Sequence, residues 1–115
     1  TALYDQAGLM VRVDAETWLK CGVEYVGGVQ YASAVVTRDY SDWSVLPLDG
    51  APETVWVRVT RRGVTLEVHV SLDGERFTLL RQAYLTDAVQ VQVGLMACAP
   101  TGEGFAAVFE GFEVR

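Results

Sequence analysis

The sequence predicts an all-β domain, a sandwich of antiparallel sheets, on three observations. Apolar and polar residues alternate along most of the 115 residues, and a period of two is that of a strand with one buried face. Turn-forming residues interrupt this alternation roughly every 10–12 residues, as they do in sandwiches and barrels. No window shows a convincing 3.6-residue period, which an amphipathic helix would require.

Four strands are predicted in the first half of the chain, over residues 8–14, 17–26, 29–38 and 43–48. In the second of them, Leu19, Cys21 and Val23 alternate with polar neighbours and indicate the buried face. Gly27 and Gly28 predict a two-residue hairpin turn, because both central positions of a type I′ turn need a positive φ. The polar residues 39–42 predict a further turn.

Five more strands are predicted after the loop at residues 49–52, over residues 53–61, 64–72, 76–85, 89–98 and 105–114. Asp73 and Gly74 are typical of a hairpin turn. A calcium loop is the weaker interpretation of this pair, because its neighbours do not supply the spaced oxygen ligands that calcium needs. About nine strands in one chain, without a linker or a repeat, predict a single domain spanning residues 1–115.

The charge balance argues against two classes of partner. The net charge is −6, Lys20 is the only lysine, and Arg58, Arg61 and Arg62 are the only basic cluster. Neutralising nucleic-acid phosphates or an anionic membrane needs a positive surface, so we expect neither partner. No apolar run is long enough to span a bilayer and no signal peptide is evident, so we expect a cytoplasmic protein.

The cysteines and the single histidine have ordinary structural interpretations. Cys21 and Cys98 lie far apart in predicted strands, which favours buried thiols over a disulfide, and neither belongs to a CxxC pair, which argues against a zinc site. His69 alternates with Glu67 and is interpreted as a surface histidine, although a metal ligand or a base stays open. We expect no metal and no cofactor.

Six segments in the same order resemble a known protein family. They are YDQAGLMVR at residues 4–12, WLKCGVE at 18–24, SAVVT at 33–37, SDWS at 41–44, SLDGERF at 71–77 and VGLM at 93–96. Together they resemble the uncharacterised bacterial and fungal proteins of the regulation-of-enolase family. That family is placed in the concanavalin A-like lectin/glucanase superfamily.

The resemblance implies a concanavalin A-like jelly-roll sandwich, in a superfamily whose members often bind carbohydrate on the concave sheet or at its rim. No established catalytic activity comes with the family. Family members are longer, with further strands before the Tyr-Asp-Gln segment. The resemblance therefore implies a chain that is short of N-terminal strands, and we expect either a piece of a longer protein or a homodimer that pairs across the open edge.

The polar face opposite the apolar rows is the candidate binding site. Charged pairs, amides and an exposed tryptophan suit a carbohydrate or another small polar ligand. A solvated sheet face with cross-strand ion pairs is the alternative interpretation of the same residues. The candidate ligand-binding residues are Asp5, Gln6, Lys20, Glu24, Trp43, Arg58 and Glu67.

Three functions stay open at this point. The sequence favours a non-catalytic binding module, with carbohydrate as the candidate ligand. A structural protein that self-associates through open sheet edges is the second. A glycoside-active enzyme is the third: it needs two carboxylates in one cleft, and the nearest candidates, Glu24 and Glu67, lie on strands whose adjacency the sequence does not define. The glucanase motif Glu-x-Asp-x-x-Glu is absent, so no residue is assigned as catalytic.

Overall fold

The computed structural model describes residues 6–50, 52–98 and 107–114, which form eight strands and no helix. The all-β prediction is therefore confirmed. The strands are β1 (Gln6–Asp14), β2 (Thr17–Val26), β3 (Val29–Arg38), β4 (Tyr40–Pro47), β5 (Trp56–Arg62), β6 (Thr65–Ser71), β7 (Thr78–Tyr84) and β8 (Gln92–Cys98).

The strands form two antiparallel sheets. One has five strands in the order β4-β3-β2-β1-β8, and the other has three in the order β5-β6-β7. Tight connections join most neighbours, and the exception is β8, which returns from the smaller sheet to pair with β1. This crossover places β8 at the end of the five-stranded sheet, beside β1.

The core lies between the two sheets because alternate residues of each strand are apolar. Leu19 and Cys21 of β2 pack with Leu66 and Val68 of β6 in the main cluster, which also contains Leu85. Side chains two residues apart share one face of a strand. The even-numbered residues of β2 therefore lie on the opposite side of the five-stranded sheet, which we call the outer face.

The two sheets overlap only in part. β3 and β4 pack against β7, and β1 packs against β5. Arg81 of β7 donates a 2.7 Å hydrogen bond to Ser44 of β4, which ties the two sheets together along that side. The three-stranded sheet thus covers β1 to β4 and leaves β8 beyond its edge.

Two turns differ in how well the sequence predicted them. The turn expected at residues 39–42 is shorter: Asp39 alone, at φ 67°, separates β3 from β4, and its N–H donates to the carbonyl of Glu16 at 3.1 Å. Asp tolerates this left-handed conformation better than most residues. The Asp73-Gly74 turn is confirmed: the N–H groups of Arg76 and Glu75 and the Ser71 hydroxyl bond Asp73 and lower the pKa of its carboxyl.

The last predicted strand, residues 105–114, is wrong where it can be compared. Residues 105 and 106 lie outside the described residues, and residues 107–114 form no strand. Gly111 has φ 65°, which breaks the extended backbone that pairing requires. Apolar side chains such as Phe112 and Val114 are exposed there, so alternation alone was insufficient to place this segment in a sheet.

Candidate functional site

The carboxylate of Glu24 is the centre of a polar network on the outer face. Its Oε1 accepts hydrogen bonds from the Ser33 hydroxyl at 2.7 Å and from the Trp43 indole N–H at 2.9 Å. Its Oε2 accepts one from the Gln6 amide at 3.0 Å. We call these four residues the Glu24 cluster; each comes from a different strand, β1 to β4.

The strand register explains how these side chains meet. Gln6 lies directly opposite Glu24 across the β1–β2 pair. Ser33 lies opposite Gly22, which is the next residue on the same face of β2 as Glu24, so Ser33 is a diagonal neighbour of Glu24. Direct and diagonal cross-strand neighbours are within reach of each other on a sheet face. Trp43 lies one strand further away, and its long indole closes the distance to Glu24.

Burial makes this carboxylate unusual, since Glu24 is only 3% exposed although it lies on the face that points away from the three-stranded sheet. All three partners are neutral groups. Lys20 lies on the same face four residues earlier in β2, with its Nζ 5.3 Å from the centre of the Trp18 ring. Among the described residues the one ion pair joins Arg62 to Glu67, so hydrogen bonds rather than a cation compensate the burial of Glu24.

Close backbone approach beside the cluster requires glycine. Gly8 and Gly22 face each other across the β1–β2 pair. A Cβ at Gly8 would lie 1.8 Å from the carbonyl oxygen of Cys21, and one at Gly22 would lie 2.1 Å from that of Ala7. The surrounding recess has a volume near 0 Å³, so a ligand here would lie on the surface rather than in a cavity.

A larger recess of about 290 Å³ lies elsewhere, between the end of β4 and the β6–β7 turn. Half-exposed Leu46 and Leu72 form its apolar walls, and Asp49, Asp73 and Arg76 line its polar side. It is on the same side of the molecule as the Arg81–Ser44 bond but shares no residue with the Glu24 cluster. None of its residues was a candidate from the sequence.

The structure separates the candidate residues into two groups. Gln6, Lys20, Glu24 and Trp43 lie together on the outer face of the five-stranded sheet. Asp5 lies outside the described residues.

Arg58 and Glu67 belong to the three-stranded sheet and cannot share a surface with Glu24, because the core lies between the two sheets. Their cross-strand partners, His69 and Thr60, alternate with the buried Val68 and the partly buried Val59 of the core, so all four point away from the core. Arg58 stacks on Phe77, 3.8 Å from the ring centre, and Glu67 accepts a 3.0 Å hydrogen bond from Arg62. The idea of one polar face is corrected to two faces on opposite sides of the sandwich.

Ser33 is the member of the cluster that was absent from the candidate residues. It is buried, and its hydroxyl makes the shortest of the three bonds to Glu24. Its place on the polar side of β3 follows from alternation, but its contact with Glu24 depends on the β2–β3 register. Alternation was therefore the only signal in the sequence, and it indicates the face on which Ser33 lies but not its partner.

The thiols and the histidine follow the structural interpretation in part. Cys21 is buried in the core and Cys98 is half-buried on β8, and both are free. Burial raises the pKa of the Cys21 thiol to about 12, against the smaller lowering effect of a hydrogen bond to the Leu9 backbone.

The half-buried His69 has an Nδ1 atom that lacks a hydrogen-bond partner. No three His, Cys, Asp or Glu residues within the described ranges group closely enough to hold a metal ion.

The fold and the site together define an antiparallel β-sandwich with a buried carboxylate network on an open sheet face. The chain belongs to the family described as "Protein of unknown function (DUF1349)", which it matches over residues 1–115. In the part of the chain that the structure describes, no helix could cross a membrane.

Similarity to Saccharomyces cerevisiae proteins extends over most of the chain. The chain is 40% identical over 108 residues to "Regulation of enolase protein 1", covering 94% of this chain and 54% of that protein. It is also similar to a crystal structure of a functionally unknown protein, with a TM-score of 0.82, 41% identity and coverage of 87% of this chain and 54% of the other. The chain thus spans about half the length of these relatives.

Proposed function

We propose that the protein is a non-catalytic binding module that holds a carbohydrate against the outer face of the five-stranded sheet. The supporting observation is the orientation of Trp43. Its indole N–H bonds the buried Glu24 carboxylate at 2.9 Å, while half of the residue, 50%, is exposed. An aromatic side chain held in place before binding loses little entropy when a ligand packs on it.

The surroundings of Trp43 supply both kinds of contact that a sugar uses. The apolar face of a sugar ring packs on an indole, and its hydroxyls bond polar neighbours. Lys20 of β2 lies opposite Val35 of β3, which in turn lies opposite Trp43 of β4, so the three side chains form one row across the strands. The hydroxyls of Thr37 and Ser41, 2.8 Å apart, lie one row further along the same face.

The arrangement of carboxylates supports binding over hydrolysis. A glycosidase places two carboxyl groups about 5–10 Å apart across one cleft. Glu24 and Glu67 lie on opposite sides of the sandwich, and the three partners of Glu24 are an amide, a hydroxyl and an indole. We also propose that the protein belongs to the concanavalin A-like superfamily and that it is cytoplasmic. Its two free thiols support the cytoplasmic location, because a reducing compartment keeps thiols unpaired.

The experiment is a glycan array followed by titration calorimetry on the best glycan, with wild type, Trp43→Ala and Trp56→Ala. Trp56 is 42% exposed on the other sheet, so it is a matched control. We expect Trp43→Ala to weaken binding by about tenfold or more, equal to about 1.4 kcal/mol, and Trp56→Ala to leave it unchanged. Trp43→Phe keeps a ring but loses the bond to Glu24, so we expect an intermediate loss.

Two outcomes would contradict the proposal. One is an array without any glycan bound by the folded protein. The other is equal affinity in the two alanine variants, which would direct attention to the 290 Å³ recess beside β4.

A further inference from the structure

Strand β8 lies at the end of the five-stranded sheet, with one edge that none of the described strands pairs with. It pairs with β1 along its whole length, from Gln6↔Cys98 to Arg12↔Gln92. No strand among residues 6–50, 52–98 and 107–114 pairs with its other side. Open edges present unpaired N–H and C=O groups and are ready to accept another strand.

This edge lacks the features that usually prevent such pairing. Proteins protect open edges with charged side chains, prolines or bulges. β8 has the sequence QVGLMAC and is the only one of the eight strands without Asp, Glu, Lys or Arg; the uncharged stretch runs from residue 88 to 102. The other three edge strands are protected by Asp42 and Pro47 in β4, by Arg58, Arg61 and Arg62 in β5, and by Arg81 in β7.

The core-side face of β8 is also incompletely covered. Val93 lies opposite Val11 and Leu95 opposite Leu9, so both point toward the three-stranded sheet. Each is 45% exposed, whereas Val11 is 4% exposed. The main contacts between the sheets explain this exposure, because β5 packs on β1 and none of the stronger contacts of the smaller sheet reaches β8.

We propose that this edge binds a second copy of the chain, with the two β8 strands pairing antiparallel about a two-fold axis. An antiparallel pair of identical strands is self-complementary, as a two-fold interface requires. Charge selects this edge for self-pairing: two chains of net charge −6 repel each other, and β8 is the one strand of the eight that brings no like charges together. With the axis near Gly94, Val93 of each copy then lies opposite Leu95 of the other and packs against it.

The affinity expected for this interface is modest. A seven-residue strand is about 24 Å long, and an interface along one edge falls at the small end of specific interfaces. We therefore expect a reversible monomer–dimer equilibrium with a dissociation constant in the micromolar range, roughly 1–100 µM.

The test combines sedimentation velocity and hydrogen exchange over a concentration series. Leu95→Lys places a charge on the edge strand, and Leu79→Lys places the same charge on a 50% exposed site of β7. Both variants change the net charge equally. We expect Leu95→Lys to weaken dimerisation at least about tenfold, Leu79→Lys to behave as wild type, and the amides of residues 92–98 to gain protection as concentration rises.

Three results would overturn the proposal. The first is a monomer at all concentrations up to about 500 µM. The second is a dimer that Leu95→Lys does not weaken while the variant keeps the wild-type urea midpoint. The third is protection of the β8 amides that does not depend on concentration, since that would show the edge covered within one chain. If Leu95→Lys does not fold, Ala97→Lys, at an exposed position of the same strand, takes its place.

Discussion

At the scale of single residues, Glu24 shows how a carboxylate is buried without a cation. Each of its two oxygens accepts at least one hydrogen bond from a neutral donor. Removing a partner from a buried polar group costs its full desolvation penalty, which exceeds the net gain of a typical hydrogen bond. The cluster therefore depends on Glu24 more than on any one of its three donors.

We predict that Glu24→Ala lowers the free energy of unfolding by about 2–4 kcal/mol, because three buried or half-buried donors lose their acceptor together. Glu24→Gln keeps one acceptor oxygen but turns an NH₂ toward a donor, so its cost should be smaller, about 1–2 kcal/mol. Urea unfolding followed by tryptophan fluorescence measures both.

The matched control for Glu24 is Glu67→Ala. Glu67 bonds the exposed Arg62, and exposed ion pairs contribute about 0–1 kcal/mol. If Glu24→Ala proved no more destabilising than Glu67→Ala, the cluster would not be a stabilising network.

At the scale of elements, the β1–β2 pair depends on two facing glycines. Gly8 and Gly22 leave no room for a side-chain carbon against the opposing backbone carbonyls. The main-chain atoms of Cys21 and Ala7 cannot move aside as a flexible side chain would. The position of Gln6 opposite Glu24 follows from this same register, so the glycines hold the candidate site together.

We predict opposite signs for two strand glycines on the same face of the same sheet. Gly8→Ala forces β1 away from β2, and we expect it to destabilise the protein by about 3 kcal/mol, at the upper end for overpacking. At Gly94 of β8 no atom lies within 4 Å of the added carbon, so Gly94→Ala should be neutral or stabilise by about 0.5 kcal/mol. Thermal unfolding of both variants checks this, and an equal loss at both sites would contradict it.

The elements also show what the sequence could predict and what it could not. Alternation predicted the strands, and Gly27-Gly28 and Asp73-Gly74 predicted their turns, because these signals are local. Sheet membership depends on pairing between distant segments, so the sequence could not separate Arg58 from Lys20. The crossover of β8 to β1 has no local signal either, and residues 107–114 alternate without forming a strand.

At the scale of the whole molecule, the two sheets share an apolar core but differ in size, with five strands against three, so they overlap only in part. The five-stranded sheet carries the candidate site on its outer face and exposes part of its core side at β8. Four of the seven candidate residues, Gln6, Lys20, Glu24 and Trp43, meet on that outer face because alternation places polar residues away from the core. The sequence could thus predict a face but not which strands share it.

Proton linkage at Cys21 gives a final prediction about the stability of the whole sandwich. The thiol is 2% exposed in the core between the sheets, and burial raises its pKa from 9.0 to about 12. The folded state therefore keeps a proton that the unfolded state loses above pH 9.0. This contribution to stability is fully present below pH 9.0 and disappears as the pH rises toward about 12. We expect wild type to lose about 1.4 kcal/mol per pH unit more than Cys21→Ala across that window. Urea unfolding of both proteins at several pH values measures the difference, and a constant gap between them would show that the thiol ionises without unfolding the core.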